Sequence, residues 1–362
     1  MMAARVPATA ISSQPPPLAA ALTPSPPPST LPTSTPHAAP SHVPAASSTP
    51  AMVPVAPELL NLRARLGVCG GGPAVDQALA DTLGFGWYLD WKVTPGAFQS
   101  AEVEYAPMVR LKDGRATPSG EALLAAVDTM PGALWLIGNE PDVKWQDGVP
   151  PVQYAQQYHD LHALIKGRDP TARVAIGGVS QPTPLRLRYL DRILDVYRDL
   201  YGGTMPVDVW NVHNFILREE RGSWGVDIPP GMPDDTGRLY EIADHDDLQL
   251  FRQQVIDFRR WMAGRGQQGK PLIVTEYGIL MPGDYGFPPH QVEAFMLRTF
   301  EFFRTAADPA LGLPTDGHRL VQRWCWYSLL DERYPTGNLL QGDGRHLTPL
   351  GEAFGLYSQA SP

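Results

Sequence analysis

The chain has 362 residues, of which 43% are hydrophobic, so it is long enough to bury a sizeable core. Its net charge of −9 and the lack of a basic stripe argue against a nucleic-acid partner. No apolar run approaches the roughly 20 residues of a membrane span. The longest apolar run near the start, Leu18 to Leu22, is too short for the core of a signal peptide.

The first 57 residues differ in composition from the rest of the chain. They contain 15 of the 39 prolines, are otherwise mostly Ala, Ser and Thr, and carry one formally charged side chain, Arg5. Such a segment has too little apolar surface to offset the entropy of ordering it. We therefore predict a disordered low-complexity tail over residues 1–57, either a plain solvated tail or a spacer, and one folded domain over residues 58–362.

From Leu66 onward, short β-rich runs alternate with amphipathic stretches, which indicates a parallel α/β fold. Eight runs are predicted to be strands: Leu66–Cys69, Gly86–Trp91, Val103–Val109, Leu134–Gly138, Val174–Gly177, Val207–Val212, Leu272–Thr275 and Leu320–Trp326. Eight strands favour a (β/α)8 TIM barrel over a doubly wound sheet, and active sites of such barrels lie at the carboxyl ends of the strands.

Apolar stripes at helical spacing occupy the segments between several of these strands. Three stripes are clear: Tyr154, Tyr158, Leu161 and Ile165; Leu248, Phe251, Val255, Phe258 and Met262; and Val292, Met296, Phe300 and Phe303. Residues 92–102 leave room for barely one helical turn. The two cysteines, Cys69 and Cys325, fall on neighbouring strands of the barrel, where buried free thiols or one bridge are both compatible with the pattern.

Two glutamates stand at the carboxyl ends of apolar runs. Strand 4 ends in Glu140 and strand 7 ends in Glu276. Leu134, Leu136 and Glu140 share a parity along strand 4, as do Leu272, Val274 and Glu276 on strand 7, so an inward parity would point both carboxylates across the barrel mouth. Two carboxyl groups about 5–5.5 Å apart suit a glycosidase that acts by double displacement.

Several other residues are candidates for contacts with a substrate. Asn139 precedes Glu140, where its amide is placed either to bind a sugar hydroxyl or to form a turn before Pro141. His213 follows strand 6 and is either a carboxylate or sugar partner or a structural histidine. Aromatic rings at strand ends either stack on a sugar or pack in the core. These aromatic candidates are Trp87, Trp91, Tyr277 and Trp326.

The motifs around the two glutamates carry a family resemblance. Asn139-Glu140-Pro141 and Thr275-Glu276-Tyr277-Gly278 resemble clan A of the glycoside hydrolases. Three further runs resemble glycoside hydrolase family 128, a family of β-1,3-glucanases: Trp87-Tyr88-Leu89-Asp90-Trp91, Ala106-Pro107-Met108 and Gly138-Asn139-Glu140-Pro141-Asp142. The resemblance spans about residues 62 to 357 and implies that Glu140 is the acid/base and Glu276 the nucleophile.

Two positions depart from the family pattern. Phe215 stands where a tyrosine or similar residue is usual after the strand 6 histidine, so a hydroxyl that would bind the nucleophile is missing. Asp90 stands on strand 2 where an asparagine is common. Both departures bear on the glucan specificity more than on the type of reaction.

The sequence therefore predicts a retaining glycoside hydrolase that cleaves a β-linked polysaccharide, with β-1,3-glucan as the expected substrate. The same chemistry on another β-glycan (xylan, mannan or a β-glucoside) and a catalytically inactive sugar-binding barrel are the alternatives. No His/Asp/Glu cluster with metal-ligand spacing occurs, so neither a metal nor a cofactor is expected. A Pro/Ser/Thr tail is typical of exported enzymes, which favours a secreted or cell-surface protein and leaves a cytoplasmic one open; the oligomeric state is left open as well.

Overall fold

The computed structural model describes residues 61–70 and 75–360. The predicted tail and the predicted domain boundary at residue 58 lie outside these residues. No helix among the described residues is long and apolar enough to cross a membrane. Cys69 and Cys325 are both buried free thiols, the first of the two arrangements that the sequence allowed.

Among the described residues, nine strands form the centre of the fold: β1 (Leu66–Cys69), β2 (Trp87–Leu89), β3 (Glu104–Tyr105), β4 (Met108–Val109), β5 (Leu134–Asn139), β6 (Arg173–Gly178), β7 (Trp210–His213), β8 (Leu272–Glu276) and β9 (Arg323–Tyr327). Each of the eight predicted runs overlaps a strand, and the predicted third strand is divided in two. The division falls at Pro107, which has no N–H for the ladder and whose carbonyl accepts from the Leu136 N–H on the neighbouring strand at 2.9 Å.

The strands close into a barrel in which all the strand pairs are parallel. One sheet has the order β3-β2-β1-β9-β8-β7 and the other has the order β4-β5-β6. The chain runs from β3 directly into β4 at one junction. At the other junction, parallel bridges pair Ala175 with Val209 and Val179 with Val212. The barrel therefore has eight strand positions, as the sequence predicted.

The barrel encloses a small apolar core of its own, to which every strand position contributes. Its buried members are Cys69, Trp87, Leu89, Ala106, Met108, Leu134, Leu136, Ala175, Val209, Ile273 and Cys325. A much larger cluster lies between the strands and the surrounding helices. Side chains that alternate along each strand feed these two cores in turn.

In the part of the chain that the structure describes, eight α-helices accompany the strands: α1 (Leu62–Arg65), α2 (Gln77–Leu83), α3 (Gly120–Thr129), α4 (Pro151–Arg168), α5 (Pro184–Tyr201), α6 (Leu248–Gly264), α7 (Pro289–Thr305) and α8 (Pro349–Ala360). Four of them begin at a proline, whose fixed φ suits the first helical position and whose missing N–H has no partner there in any case. The three predicted apolar stripes lie on α4, α6 and α7. No helix occurs in residues 92–102, as expected.

Candidate active site

Glu140 follows β5 at a point where the backbone leaves the strand sharply. Gly138 has a φ of 90° and Glu140 a φ of 42°, a left-handed conformation that non-glycine residues seldom adopt. The N–H of Glu140 donates to the carbonyl of Gly178 on β6 at 3.1 Å. The unusual backbone, held by its neighbour strand, directs the carboxylate into the barrel mouth, where the residue is only 8% exposed.

A buried carboxylate, Asp147, anchors the turn that follows Glu140. Its Oδ2 accepts from the N–H of Asn139 at 2.7 Å and from that of Leu111 at 2.9 Å, and its Oδ1 accepts from Nε of Arg110 at 2.7 Å. The Asn139 amide nitrogen lies 3.4 Å from Oε1 of Gln146, while its buried Oδ1 has no hydrogen-bond partner. The side-chain oxygen of Asn139 is therefore an unpaired acceptor next to Glu140.

Glu276 ends β8, and the parity predicted for this strand is wrong. Ile273 lies in the barrel core, whereas Leu272 and Val274 pack outward against the helices. The β7–β8 ladder pairs Val212 with Val274 but His213 with Glu276, so β8 carries one extra residue at this point. A bulge of this kind reverses the side-chain alternation, and it explains how Glu276 turns inward although Val274 points outward. The parity predicted for the run that leads to Glu140, which is β5, is correct, because Leu134 and Leu136 lie in the barrel core.

The imidazole of His213, at the end of β7, lies between the two glutamates. Its Nδ1 is 3.0 Å from Oε1 of Glu140, and its Nε2 is 3.3 Å from Oε1 of Glu276. The second contact lacks hydrogen-bond geometry, since the buried Nε2 has no hydrogen-bond partner. One ligand atom from each of the three residues lies within 4.8 Å of the others. The two carboxylates are therefore close neighbours with a histidine beside both.

Burial and mutual charge shift the pKa values within this group. Burial raises the pKa of Glu276 to about 7, against the opposing effects of His213 and of the hydrogen bond from Trp91. Burial lowers the pKa of His213, but the negative charges of Glu276 and Glu140 outweigh it and raise that pKa overall. Each of Glu276 and His213 therefore shifts the pKa of the other.

Glu140, His213 and Glu276 also form a possible metal-binding group, the only one of three or more His, Cys, Asp or Glu residues that residues 61–70 and 75–360 contain. Nitrogen and carboxylate ligands of this kind suit zinc and similar ions. The three residues come from three different strands, so no sequence spacing could have revealed them.

Trp91 lies in the site and contacts one of the two glutamates. Its indole N–H donates to Oε1 of Glu276 at 2.7 Å, and its ring centroid is 5.8 Å from that of Tyr327. Phe215 packs edge-on against both His213 and Tyr327, with centroids 6.2 and 6.0 Å apart. The hydroxyl that is missing at Phe215 therefore does not leave Glu276 without a donor, because Trp91 provides one.

Three of the aromatic residues expected to bind substrate lie in the packed interior instead. Trp87 is fully buried in the barrel core and donates to the carbonyl of Arg65 at 3.0 Å. Trp326 is fully buried and donates to the carbonyl of Gly337 at 2.8 Å. It packs against Tyr277, which is fully buried in the cluster between the strands and the helices. None of these rings has a face open to a ligand, so this part of the expectation is corrected.

The sequence interpretation missed Tyr327, the residue after Trp326. The inward side chains of β9 are Arg323, whose guanidinium lies 4.3 Å from the ring of Trp87, and Cys325, in the barrel core. Tyr327 has the same parity, is partly exposed, and donates to Oδ2 of Asp331 at 2.6 Å. Period-two alternation along this strand would have selected Tyr327 in place of Trp326.

The long segment after β7 packs beside the turn that carries Glu140. Asp227 in this segment forms an ion pair with Lys144, four residues beyond Glu140. Trp145 directly follows Lys144, and Trp224 precedes Asp227 in the chain. Their side chains are 49% and 38% exposed. A pocket of about 340 Å³ lies between the two segments.

No family model and no curated protein matches the sequence. Solved structures do match it. An endo-β-1,3-glucanase of glycoside hydrolase family 128, subgroup II, from Sorangium cellulosum has a TM-score of 0.54 at 18% identity over 82% of this chain and 98% of its own. A curdlan-specific exo-β-1,3-glucanase, subgroup III, from Blastomyces gilchristii, solved with glucose, has a TM-score of 0.52 at 20% identity over 80% and 97%.

A third similar structure is an endo-β-1,3-glucanase of subgroup I from Amycolatopsis mediterranei in complex with laminaritriose. Its TM-score is 0.53 at 18% identity, over 81% of this chain and 98% of its own. At such identities a likeness concerns the fold. The fold of this chain is therefore similar to that of the family 128 glycoside hydrolase barrels, as the sequence motifs implied.

Proposed function

We propose that this protein is a retaining glycoside hydrolase that cleaves a β-linked polysaccharide, with β-1,3-glucan as its substrate. The observation that carries the proposal is the pair of carboxylates at the carboxyl ends of β5 and β8, with oxygens of Glu140 and Glu276 within 4.8 Å of each other. A carboxylate pair with a narrow gap suits attack by one carboxylate, whereas inverting enzymes need room for a water between the two.

In the first step, Glu276 bonds to the anomeric carbon and the glycosidic C–O bond breaks. The electron pair of that bond goes to the leaving oxygen, which takes a proton from Glu140. In the second step, Glu140 takes a proton from water, the water oxygen bonds to the anomeric carbon, and the bond to Glu276 breaks. Two displacements at the same carbon retain its configuration.

His213 has a role in this scheme that follows from its two contacts. A neutral imidazole with its proton on Nε2 presents Nδ1 as an acceptor to Glu140, at 3.0 Å, and turns its N–H toward Glu276. That tautomer favours a proton on Glu140 and a negative charge on Glu276, which is the distribution that the first step requires. The Trp91 N–H, which donates to Glu276, supports the same distribution.

The substrate assignment is supported by the fold shared with β-1,3-glucanases and by the open acceptor on Asn139. The unpaired Oδ1 of Asn139, in the residue that precedes Glu140, is suited to accept from a sugar hydroxyl beside the scissile bond. A buried acceptor that gains a partner only when the ligand is bound contributes to discrimination between substrates. We assign the hydroxyl contact to Asn139 on this ground.

The test uses the full-length protein with laminarin, cellulose, xylan and mannan. Release of reducing ends measures the preference, and proton NMR of the first product identifies its anomer. We expect the fastest release from laminarin, with the β-anomer formed first. Equal or faster release from xylan or mannan would overturn the glucan assignment, and an α-anomer first would overturn the retaining mechanism. Laminarin binding without release of reducing ends would indicate a sugar-binding barrel.

A further inference from the structure

Gly178 is the last residue of β6. Its backbone conformation does not require a glycine. Its φ lies outside the left-handed region, so an alanine would fit the backbone. A glycine at a strand position is also unfavourable, because it loses more conformational freedom than other residues and packs nothing. Such a residue marks a place where another group approaches the backbone closely.

The group that approaches Gly178 is the imidazole of His213. A Cβ at position 178 would lie 2.5 Å from Cδ2 and 2.8 Å from Nε2 of His213, and 3.2 Å from Nδ2 of Asn211. Carbon atoms in van der Waals contact are about 3.5–4.0 Å apart. A methyl group at position 178 and the observed imidazole therefore cannot both be accommodated, and the fully buried ring has little room to retreat.

The other contact of Gly178 is with Glu140. The carbonyl of Gly178 accepts from the Glu140 N–H at 3.1 Å, and Gly178 pairs with Asn139 in the β5–β6 ladder. The same residue thus fixes the backbone of one glutamate and leaves the space for the imidazole that contacts both. The backbone N–H of His213 donates to the carbonyl of Val179 at 2.8 Å, and this bond connects β7 to the residue after Gly178.

We propose that Gly178 is a positioning residue: its missing side chain sets the His213 imidazole between Glu140 and Glu276. A methyl group there would push the ring away from its two contacts, at 3.0 and 3.3 Å. The catalytic part of this inference rests on the proposed function. The structural part, contact between position 178 and the imidazole, does not.

A double-mutant cycle tests the proposal. Gly178→Ala is compared in the natural sequence and in the His213→Ala background, where the imidazole is absent and the closest remaining neighbour of the methyl group is Asn211 Nδ2, at 3.2 Å. We expect Gly178→Ala to lower kcat/KM about 100-fold in the natural sequence, the scale of a displacement of about 1 Å in an active site. In the His213→Ala background we expect a change of about twofold or less, since the two effects act through one contact.

The matched control is Gly167→Ala on α4, where an added Cβ meets no atom within 4 Å. It should leave kcat/KM unchanged. An equal loss for Gly178→Ala in both backgrounds would overturn the proposal, because the methyl group would then act on something other than the imidazole. The melting temperatures of the natural protein, the two single variants and the double variant give a second double-mutant cycle, which does not depend on catalysis. They keep the contact testable if Gly178→Ala is poorly folded or the natural protein hydrolyses none of the glycans.

The imidazole itself provides a second measurement that a general loss of stability would not reproduce. An NMR titration of His213, assigned by comparison with His213→Gln, follows its pKa, which the adjacent carboxylates hold above the ordinary value. In Gly178→Ala this pKa should fall as the ring moves away from Glu276 and Glu140. An unchanged His213 titration in a folded Gly178→Ala protein would overturn the proposal, whether or not the natural protein is a glycosidase.

Discussion

Trp91 donates its indole N–H to Oε1 of Glu276 at 2.7 Å, across 185 positions of sequence. Trp91 itself has a φ of 58°, a conformation that a bulky residue adopts only when its surroundings enforce it. The turn after β2 therefore places a hydrogen-bond donor on the proposed nucleophile. That donor replaces the hydroxyl that the sequence comparison found missing at Phe215.

Trp91→Phe removes this donor and keeps an aromatic ring against Tyr327. A hydrogen bond to a charged group contributes about 1.5–3 kcal/mol, so we expect kcat/KM to fall by about 10- to 100-fold. The donor favours the ionised carboxylate, so its loss should also raise the pKa of Glu276 and move the acid limb of the kcat/KM profile to higher pH. A loss of activity with an unmoved acid limb would show that Trp91 acts only by packing.

The two glutamates could be predicted from the sequence because burial leaves a simple pattern. Each ends an apolar run, and an ionisable group at the end of a buried strand is costly without a role. Asp147 and His213 show where such reasoning stops. Asp147 fixes Asn139 from a turn eight residues further on, and the contacts of His213 cross three strands. Those relationships depend on barrel closure, which local patterns do not specify.

The aromatic residues were harder to assign, because strand parity decides which rings face the site. Trp326 and Tyr327 are adjacent in sequence. Trp326 is buried between the strands and the helices, whereas Tyr327 faces Trp91. On β8 the parity itself changes at the bulge beside Thr275. Period-two alternation therefore predicts a facing only up to the first irregularity, and active sites are where irregularities concentrate.

The pKa of Glu276 leads to a prediction about pH dependence. Burial raises this pKa to about 7, so the carboxyl is protonated below that pH in the empty site, and a protonated carboxyl is no nucleophile. We expect kcat/KM to fall about tenfold per pH unit as the pH drops below about 7. Measurements on a laminari-oligosaccharide between about pH 5 and 9 test this. A profile that stays flat down to pH 5 would contradict a raised pKa for the nucleophile.

His213 provides the companion experiment for the pH profile. His213 lowers the pKa of Glu276, so His213→Gln should raise that pKa and shift the acid limb upward. The same change removes the imidazole Nδ1 that lies 3.0 Å from Oε1 of Glu140, so kcat/KM should also fall at every pH. A shift of the acid limb to lower pH would show that His213 acts on Glu276 with the opposite sign.

A buried ion network supports the turn that carries Glu140, and it yields a prediction about stability. Arg186 on α5 is fully buried and donates to Asp142 at 2.6 Å, to Glu219, and to the carbonyls of Val226 and Asp227. Arg186→Met would leave two buried carboxylates without their cation. Breaking such a pair costs about 3–5 kcal/mol, so the free energy of unfolding in urea should fall by that amount.

Arg188, on the same helix, is the matched control for Arg186. It forms an ion pair with Asp234, but its side chain is 51% exposed, and exposed pairs contribute about 0–1 kcal/mol. Arg188→Met should therefore lower the free energy of unfolding by less than about 1 kcal/mol. Equal losses for the two variants would show that burial of the Arg186 network does not determine its contribution.

Substitution of Glu276 and substitution of Glu140 should affect activity in different ways, because the two residues have different proposed roles. Glu276→Gly should abolish formation of the glycosyl-enzyme, with kcat lower by about five orders of magnitude, equivalent to about 7 kcal/mol in the barrier. Glu140→Ala removes the proton donor instead. Its loss should be smaller on an aryl glycoside whose leaving group needs no protonation. Glu332→Ala, at an exposed position, is the control and should keep full activity.

Added azide separates the two roles further. In Glu140→Ala the intermediate on Glu276 still forms on an activated substrate, and azide can attack it without a base. We therefore expect azide to restore turnover of Glu140→Ala and to give a β-glycosyl azide, identified by proton NMR. Azide should not yield a β-glycosyl azide with Glu276→Gly, because that variant forms no intermediate and a direct attack would give the α-product. If the two variants behave alike on the activated substrate, the assignment of Glu276 as nucleophile fails, although the barrel and its carboxylate pair remain.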